Sequence, residues 1–200
     1  MFGIVRTVFE TTSQAHIIGA ARKLVRRRGH AVVSLRQIAA AAGYSPAGLY
    51  AHFPGREGIM DAVADAVRGD LAATLERAAA EQAEPTAQLV AVGLAYITFA
   101  LDHAPEFELL FRYTRSRKRS SVDPSPSSFD LLRRILRRGA PSASAEVIDL
   151  ACLRLWSTAH GLANLRAFHL SEFACDWNAW TRQILQRQVE EVLCSAHRDC

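Results

Sequence analysis

Residues 34–59 read SLRQIAAAAGYSPAGLYAHFPGREGI, and this stretch decides the fold. Ser34 followed three places later by Gln37 is a capping box, so a short helix opens here and Gly43 closes it. Ser45-Pro46 is a second start signal. A serine oxygen accepts from an orphan backbone N–H, and proline suits the first helical position because no N–H is needed there. That second helix ends near Phe53-Pro54-Gly55. Two short capped helices joined by a glycine-containing turn make the layout in which the second helix enters the DNA major groove. Ile38 and Leu49 are the packing residues expected to fix the angle. Ala39, Ala40, Ala42, Ala47 and Gly48 are small enough for close approach of a helix or of DNA.

Upstream, Ile17, Ala21, Leu24 and Val25 follow helical spacing with arginines opposite. Thr11 with Gln14 predicts the start of that helix, and Gly29 its end. Downstream, a long helix is predicted over 56–81, with Ile59, Val63, Val67, Leu71 and Leu75 on one stripe. Pro85 opens a very apolar helix to about residue 103, and a short helix follows over 105–113. Residues 115–128, rich in Arg, Ser and Pro, read as a mobile loop. Further helices are predicted over 129–138, 145–168 and 176–194, the last offering Trp177, Trp180, Ile184, Leu185 and Val192 for burial. Neither a strand pattern nor an internal repeat stands out, so the class is all-α.

The chain has 200 residues, half of them hydrophobic, enough for one domain or two small ones with a real core. Its charge is unevenly spread. The first 58 residues hold eight basic side chains against two acidic ones, and the remainder 16 against 18. A concentrated positive face suits a polyphosphate partner, because neutralised phosphates release condensed counterions. The longest strongly apolar run, 89–101, is shorter than the roughly 20 residues of a bilayer span, and no signal peptide is read, so a cytoplasmic protein without a membrane partner is expected. The cysteines, at 152, 175, 194 and 200, form no CxxC pair and have no histidine at metal-ligand spacing. With no HExxH, GxSxG or phosphate-cradling glycine loop either, no enzyme, metal or cofactor is expected.

At this point a family resemblance attaches to particular residues. The "AARKL" end of the first helix, "SLRQIAAAAGYS", "GLYAHF" and the charged restart "GREGI" resemble the DNA-binding domain of the TetR family of bacterial regulators. The match spans roughly residues 13–62. Further along, Trp156-Ser-Thr-Ala-His160-Gly161 resembles the WHG motif of one class of TetR carboxy-terminal domains. The resemblance implies a three-helix helix-turn-helix domain over 1–58, followed by a helical regulatory and dimerisation domain over 59–200.

It also implies site residues and partners. Arg36, near the start of the second helix, is placed to reach guanine or phosphate. Tyr44 precedes the recognition helix, which carries Ser45, Pro46, Ala47 and Gly48. Tyr50 and His52 match phosphate-touching positions, the tyrosine with its ring packed and its hydroxyl on phosphate. Arg56 begins the next helix, where it is expected to grip phosphate. The recognition helix is bare, so phosphate contacts and DNA shape are expected to carry much of the affinity. The implied partners are a double-stranded DNA operator, an apolar or amphipathic small-molecule effector and a second copy of the chain, paired through the last two helices. Tyr96, Phe99, His103, Phe107, Phe111, Trp156 and His160 are the candidate pocket lining, and the long fourth helix is the natural lever. Release by effector from a palindromic operator, that is, a repressor, is the leading reading. A thiol redox-responsive regulator using Cys194 and Cys200, or a non-specific DNA-binding protein using the amino-terminal arginines plus 112–119, are the rivals.

Overall fold

The computed structural model describes residues 2–113, 128–170 and 172–198. Residues 114–119 of the basic cluster, residues 115–127 of the loop expected over 115–128, and Cys200 lie outside the described residues; Ser128 opens a helix instead. The chain folds as two compact units, Met1–Gly69 with His103–Asp123 and Asp70–Asp102 with Pro124–Cys200. Among the described residues every regular element is a helix.

The first unit contains α1 (Phe2–Arg28), α2 (Leu35–Ala42), α3 (Pro46–Leu49), the opening turns of α4 (Arg56–Ala80) and α6 (Ala104–Arg112). Helix α1 begins well before the capping box expected at Thr11, which lies inside the helix instead. No proline interrupts residues 2–28, so nothing in that stretch forces a break. The helix ends as expected at Gly29, whose φ of 74° is the left-handed conformation that glycine adopts without strain. Ile17, Ala21 and Val25 of α1, Ile38 of α2, Leu49 of α3 and Ile59, Met60 and Val63 of α4 are buried together as an apolar core. Both α2 and α6 pack on α1.

The second unit is built on α5 (Pro85–Asp102), which packs against α7 (Ser128–Gly139), α8 (Ala145–Asn164) and α9 (Trp177–Arg198). Helix α5 is long and apolar enough to cross a membrane by composition, but Leu89, Val92, Tyr96, Ile97, Phe99 and Ala100 are buried within the unit, as in a core helix. Gly93 lets α9 come close: a Cβ there would stand 3.0 Å from both methyl carbons of Leu185. Carbonyls at and just past the end of α4 are satisfied by the buried Gln88, whose amide donates at 2.9 Å to Ala79 O and at 2.9 Å to Gln82 O. Arg138 in turn donates to Gln88 Oε1 at 3.1 Å.

Ser144 caps α8, accepting from Val147 N–H at 3.3 Å. The helix predicted over 145–168 stays helical but widens into a π turn at Leu165–His169, closed by a 2.6 Å bond from Leu170 N–H to Leu165 O. Along α9, Leu185, Val189, Val192 and Ala196 are buried within the unit, whereas Trp180 and Ile184 face outward.

Candidate nucleic-acid interface

Local chemistry builds the two-helix reader as the sequence predicts. Ser34 Oγ accepts from Gln37 N–H at 3.3 Å while Gln37 Oε1 accepts from Ser34 N–H at 2.8 Å, completing the capping box. Gly43 turns the chain with φ of 71°, and Tyr44 N–H closes onto Ala39 O at 2.9 Å. Ser45 Oγ then accepts from Gly48 N–H at 3.0 Å, with Pro46 in the first turn of α3. Leu49 and Phe53 anchor the reader from behind. Gln14 of α1 donates to His52 O at 3.1 Å, pinning the turn that follows α3.

Arg36, Ser45, Pro46 and Ala47 are exposed, and Tyr44, Gly48 and His52 half-buried. Tyr44 and His52 meet edge to face, ring centroids 5.4 Å apart. Gly48 leaves space for the cap: a Cβ there would lie 3.2 Å from Ser45 Oγ, while Tyr44 Cδ1 at 3.7 Å is an ordinary contact. Tyr50 differs from expectation. Its side chain is 62% exposed, so the ring is presented outward rather than packed in the core.

Arg56 is folded inward. Nε donates to Val33 O at 2.6 Å, one terminal nitrogen donates to His30 O, and the other to Glu57 and to the Tyr113 hydroxyl, the latter at 3.3 Å. These partners take four of its five N–H donors, leaving at most one for a phosphate. The role the geometry gives Arg56 is to tie the loop before α2 to α4 and to the end of α6.

Two further arginines are also committed. Glu106 of α6 is fully buried, and it accepts from Arg22 Nε and, at 2.8 Å, from Arg26 Nε. Burial pushes the Glu106 carboxyl up, but the bonds and charges of the two guanidiniums outweigh it and hold the group below the usual glutamate value. His103 Nδ1 adds a contact at 3.2 Å. The sequence hid this clamp because its partners are 80 and 84 positions apart. Its only trace was an acidic residue on the apolar face of a short helix, among Phe107, Leu109 and Leu110. The basic face is therefore thinner than its residue count. Lys23, Arg27, Arg28 and Arg36 remain exposed, with no ion pair among the described residues.

The pocket candidates divide between the units. Tyr96, Trp156 and His160 come together in the second: Trp156 Nε1 donates to Tyr96 Oη at 3.4 Å, and that oxygen lies 3.0 Å from His160 Nδ1. Asn164, which the sequence reading missed, stands 3.0 Å from His160 Nε2 at i+4 spacing. Burial raises the Tyr96 hydroxyl to about 12 and lowers the His160 imidazole, so both are neutral near pH 7. Phe99 is buried on α5 but off the cavity beside Tyr96. His103, Phe107 and Phe111 belong to the first unit, where the two phenylalanine rings meet at 5.2 Å. Burial also pushes the Cys152 thiol up to about 12, which leaves it inert.

A capped reader held on a helical support that also carries exposed basic side chains defines a helix-turn-helix DNA-binding protein. The profile of the bacterial regulatory proteins of the tetR family matches residues 17–63, and that of the tetracyclin repressor-like carboxy-terminal domain matches residues 89–192. The chain belongs to the TetR family of transcriptional regulators, which are DNA-binding transcription factors and not enzymes. The Trp156-to-Gly161 motif lies within the second matched segment.

Among solved structures, a protein of unknown function from Rhodococcus sp. RHA1 is 26% identical with a TM-score of 0.74, over 92% of this chain and 95% of that one. A tetR-family regulatory protein from Rhodococcus RHA1 is 21% identical with a TM-score of 0.60, over 92% and 96%. A single-residue variant of TetR from Acinetobacter baumannii AYE, in complex with minocycline, is 18% identical with a TM-score of 0.67, over 90% and 96%. No curated protein matches the chain by sequence.

Proposed function

We propose that this regulator is a cytoplasmic repressor that binds a pseudo-palindromic operator as a homodimer and is released by a small apolar or amphipathic effector. The observation that carries the reading is the outward face of the last two helices. On α8, Leu150 is 59% exposed and Leu153 50%; on α9, Trp180 and Ile184 are exposed as well. Side chains of this size on adjacent helices are what a two-fold interface covers. A two-fold dimer carries two readers about 34–36 Å apart, hence a palindromic site.

In this reading residues 1–58 read DNA and 59–200 sense and pair. Arg36, Tyr44, Ser45, Pro46, Ala47, Gly48, Tyr50 and His52 form the DNA-facing set. Arg36 reads a base edge or phosphate, and Ala47 meets a thymine methyl. The exposed Tyr50 hydroxyl suits phosphate. Arg56 acts by positioning the loop that carries Ser34. The minocycline complex of the structural neighbour supports a small-molecule effector.

Selection of bound DNA from a random pool, followed by footprinting and light scattering, tests the proposal. The expected result is one protected palindrome and a dimer at micromolar concentration. A monomer, or protection without sequence preference, overturns it.

A further inference from the structure

We propose that the second unit binds a neutral, flat, indole-sized molecule whose one polar group takes the place of the Trp156 indole N–H at the Tyr96 hydroxyl. This deepens the effector reading above and rests on it for its biological meaning, although binding is tested separately from DNA release.

The cavity concerned lies between α5, α7, α8 and α9, with Leu75 of α4 at its edge. Its wall includes Val92, Gly93, Tyr96, Leu132, Trp156 and Ala159, and no charged side chain lines it. Besides Tyr96 and Trp156, Ser128 is the one other residue there with a polar side chain. An ionised ligand would lose its hydration and find no countercharge. The neutral state of Tyr96 and His160 points the same way.

Size says how a ligand gets in. The cavity volume is about 30 Å³, room for roughly one water, so an organic molecule must displace part of the wall. Trp156 has least to lose. Its side chain is 39% exposed, and its bond to Tyr96, at 3.4 Å, is long for an N–H···O contact. Its ring contacts, edge-on to Phe129 and tilted to His160, are distant, with centroids 6.4 Å apart in both cases.

Tyr96 stays where it is when the indole leaves. Its oxygen is held by His160 Nδ1 at 3.0 Å, and His160 is braced by Asn164 through both ring nitrogen and backbone carbonyl, each at 3.0 Å. The vacated slot is thus apolar, ring-shaped and floored by one fixed hydroxyl oxygen. A ligand that fills it with a fused ring and offers one N–H or O–H reproduces what the indole supplied.

Titration calorimetry with four naphthyl probes tests this: 2-naphthol, naphthalene, 2-naphthoate and 2-naphthylmethylammonium. We expect 2-naphthol to bind about tenfold more tightly than naphthalene, the effect of one hydrogen bond. The two charged probes should bind at least about tenfold more weakly than naphthalene. Tyr96→Phe should bring 2-naphthol and naphthalene within about twofold of each other. Trp156→Ala, which empties the slot, should bind indole more tightly than the parent chain does, with thermal melts checking that both variants fold.

Failure of all four probes to bind overturns the proposal, as does equal binding of 2-naphthoate, or an unchanged 2-naphthol preference in Tyr96→Phe. Binding of 2-naphthol without release of DNA upholds the site's chemistry and overturns the effector reading instead. A charged compound that releases DNA without competing with 2-naphthol leaves release by an effector standing and overturns the assignment of this cavity as the effector's site.

Discussion

Arg56 Nε donates to the backbone carbonyl of Val33 at 2.6 Å, across 23 positions of the chain. The bond holds the residue just before the Ser34 cap, so the reader's first helix starts from a point fixed by α4. The guanidinium's other bonds, to His30 O, Glu57 and Tyr113, extend the hold. Arg56→Ala should destabilise the fold by about 2–3 kcal/mol, because the carbonyls of the buried Val33 and His30 lose a charged donor. Arg56→Lys should recover little, since a point ammonium cannot replace a planar fork. Urea denaturation of the three proteins measures this. A loss below about 0.5 kcal/mol for the alanine variant contradicts it.

Arg36 should behave in the opposite way. It is exposed and unpaired among the described residues, so Arg36→Ala should leave urea stability within about 0.5 kcal/mol of the parent. Operator affinity should fall by about 1–3 kcal/mol if the contact is to a guanine edge. If it is to phosphate, the salt slope of binding should shrink by about 0.9. Fluorescence anisotropy at several salt concentrations distinguishes the two, and unchanged operator binding would remove Arg36 from the interface.

The Glu106 clamp carries a pH signature. The folded carboxyl titrates below its unfolded value of about 4.3, so its contribution is fully present above that value. As pH falls through the folded value the contribution is lost. Glu106→Gln should therefore cost about 2 kcal/mol at pH 7, less than a wholly buried pair would because Arg22 and Arg26 stay partly exposed. The gap between parent and variant in urea midpoint should close as pH drops below about 4. A gap independent of pH would mean that the carboxylate charge is not what matters.

Gly93 tests the packing of α5 on α9. Gly93→Ala places a methyl 3.0 Å from both Leu185 methyl carbons, so the buried leucine must shift. The expected cost is about 1–3 kcal/mol despite alanine's better helix propensity. Gly69, where an added Cβ meets nothing within 4 Å, is the control: alanine there should be stabilising by about 0.5–1 kcal/mol. Thermal melts of the two variants should move in opposite directions.

The reader was legible because its determinants are local. Ser34 and Gln37, Gly43, and Ser45 with Pro46 each act within one turn of chain, so their spacing carries the structure. Helix periodicity placed α4, α5, α7 and α9 within a few residues for the same reason. What depends on distant partners was not legible. Arg22, Arg26 and Arg56 counted as free positive charge in the sequence, yet Glu106, Val33 and His30 commit them internally. Tyr50 read as a packing ring because aromatics favour cores, whereas the short α3 turns its buried side to Leu49 and leaves Tyr50 outside. The aromatic pocket list merged two clusters, because sequence adjacency between Phe99 and His103 does not reveal that the compact units divide there.

The bareness of α3 has an evolutionary side. Its support comes from Leu49 behind and from the Ser45 and Gly43 caps at its approach, none of which depends on the exposed Ala47. Position 47 is thus uncoupled from folding, and under the proposed reading a longer side chain at this exposed site would point to DNA. A lineage carrying this head could acquire a new operator by single substitutions at that site without an intermediate that fails to fold. A library randomised at Ala47 would sample base preferences on one unchanged scaffold.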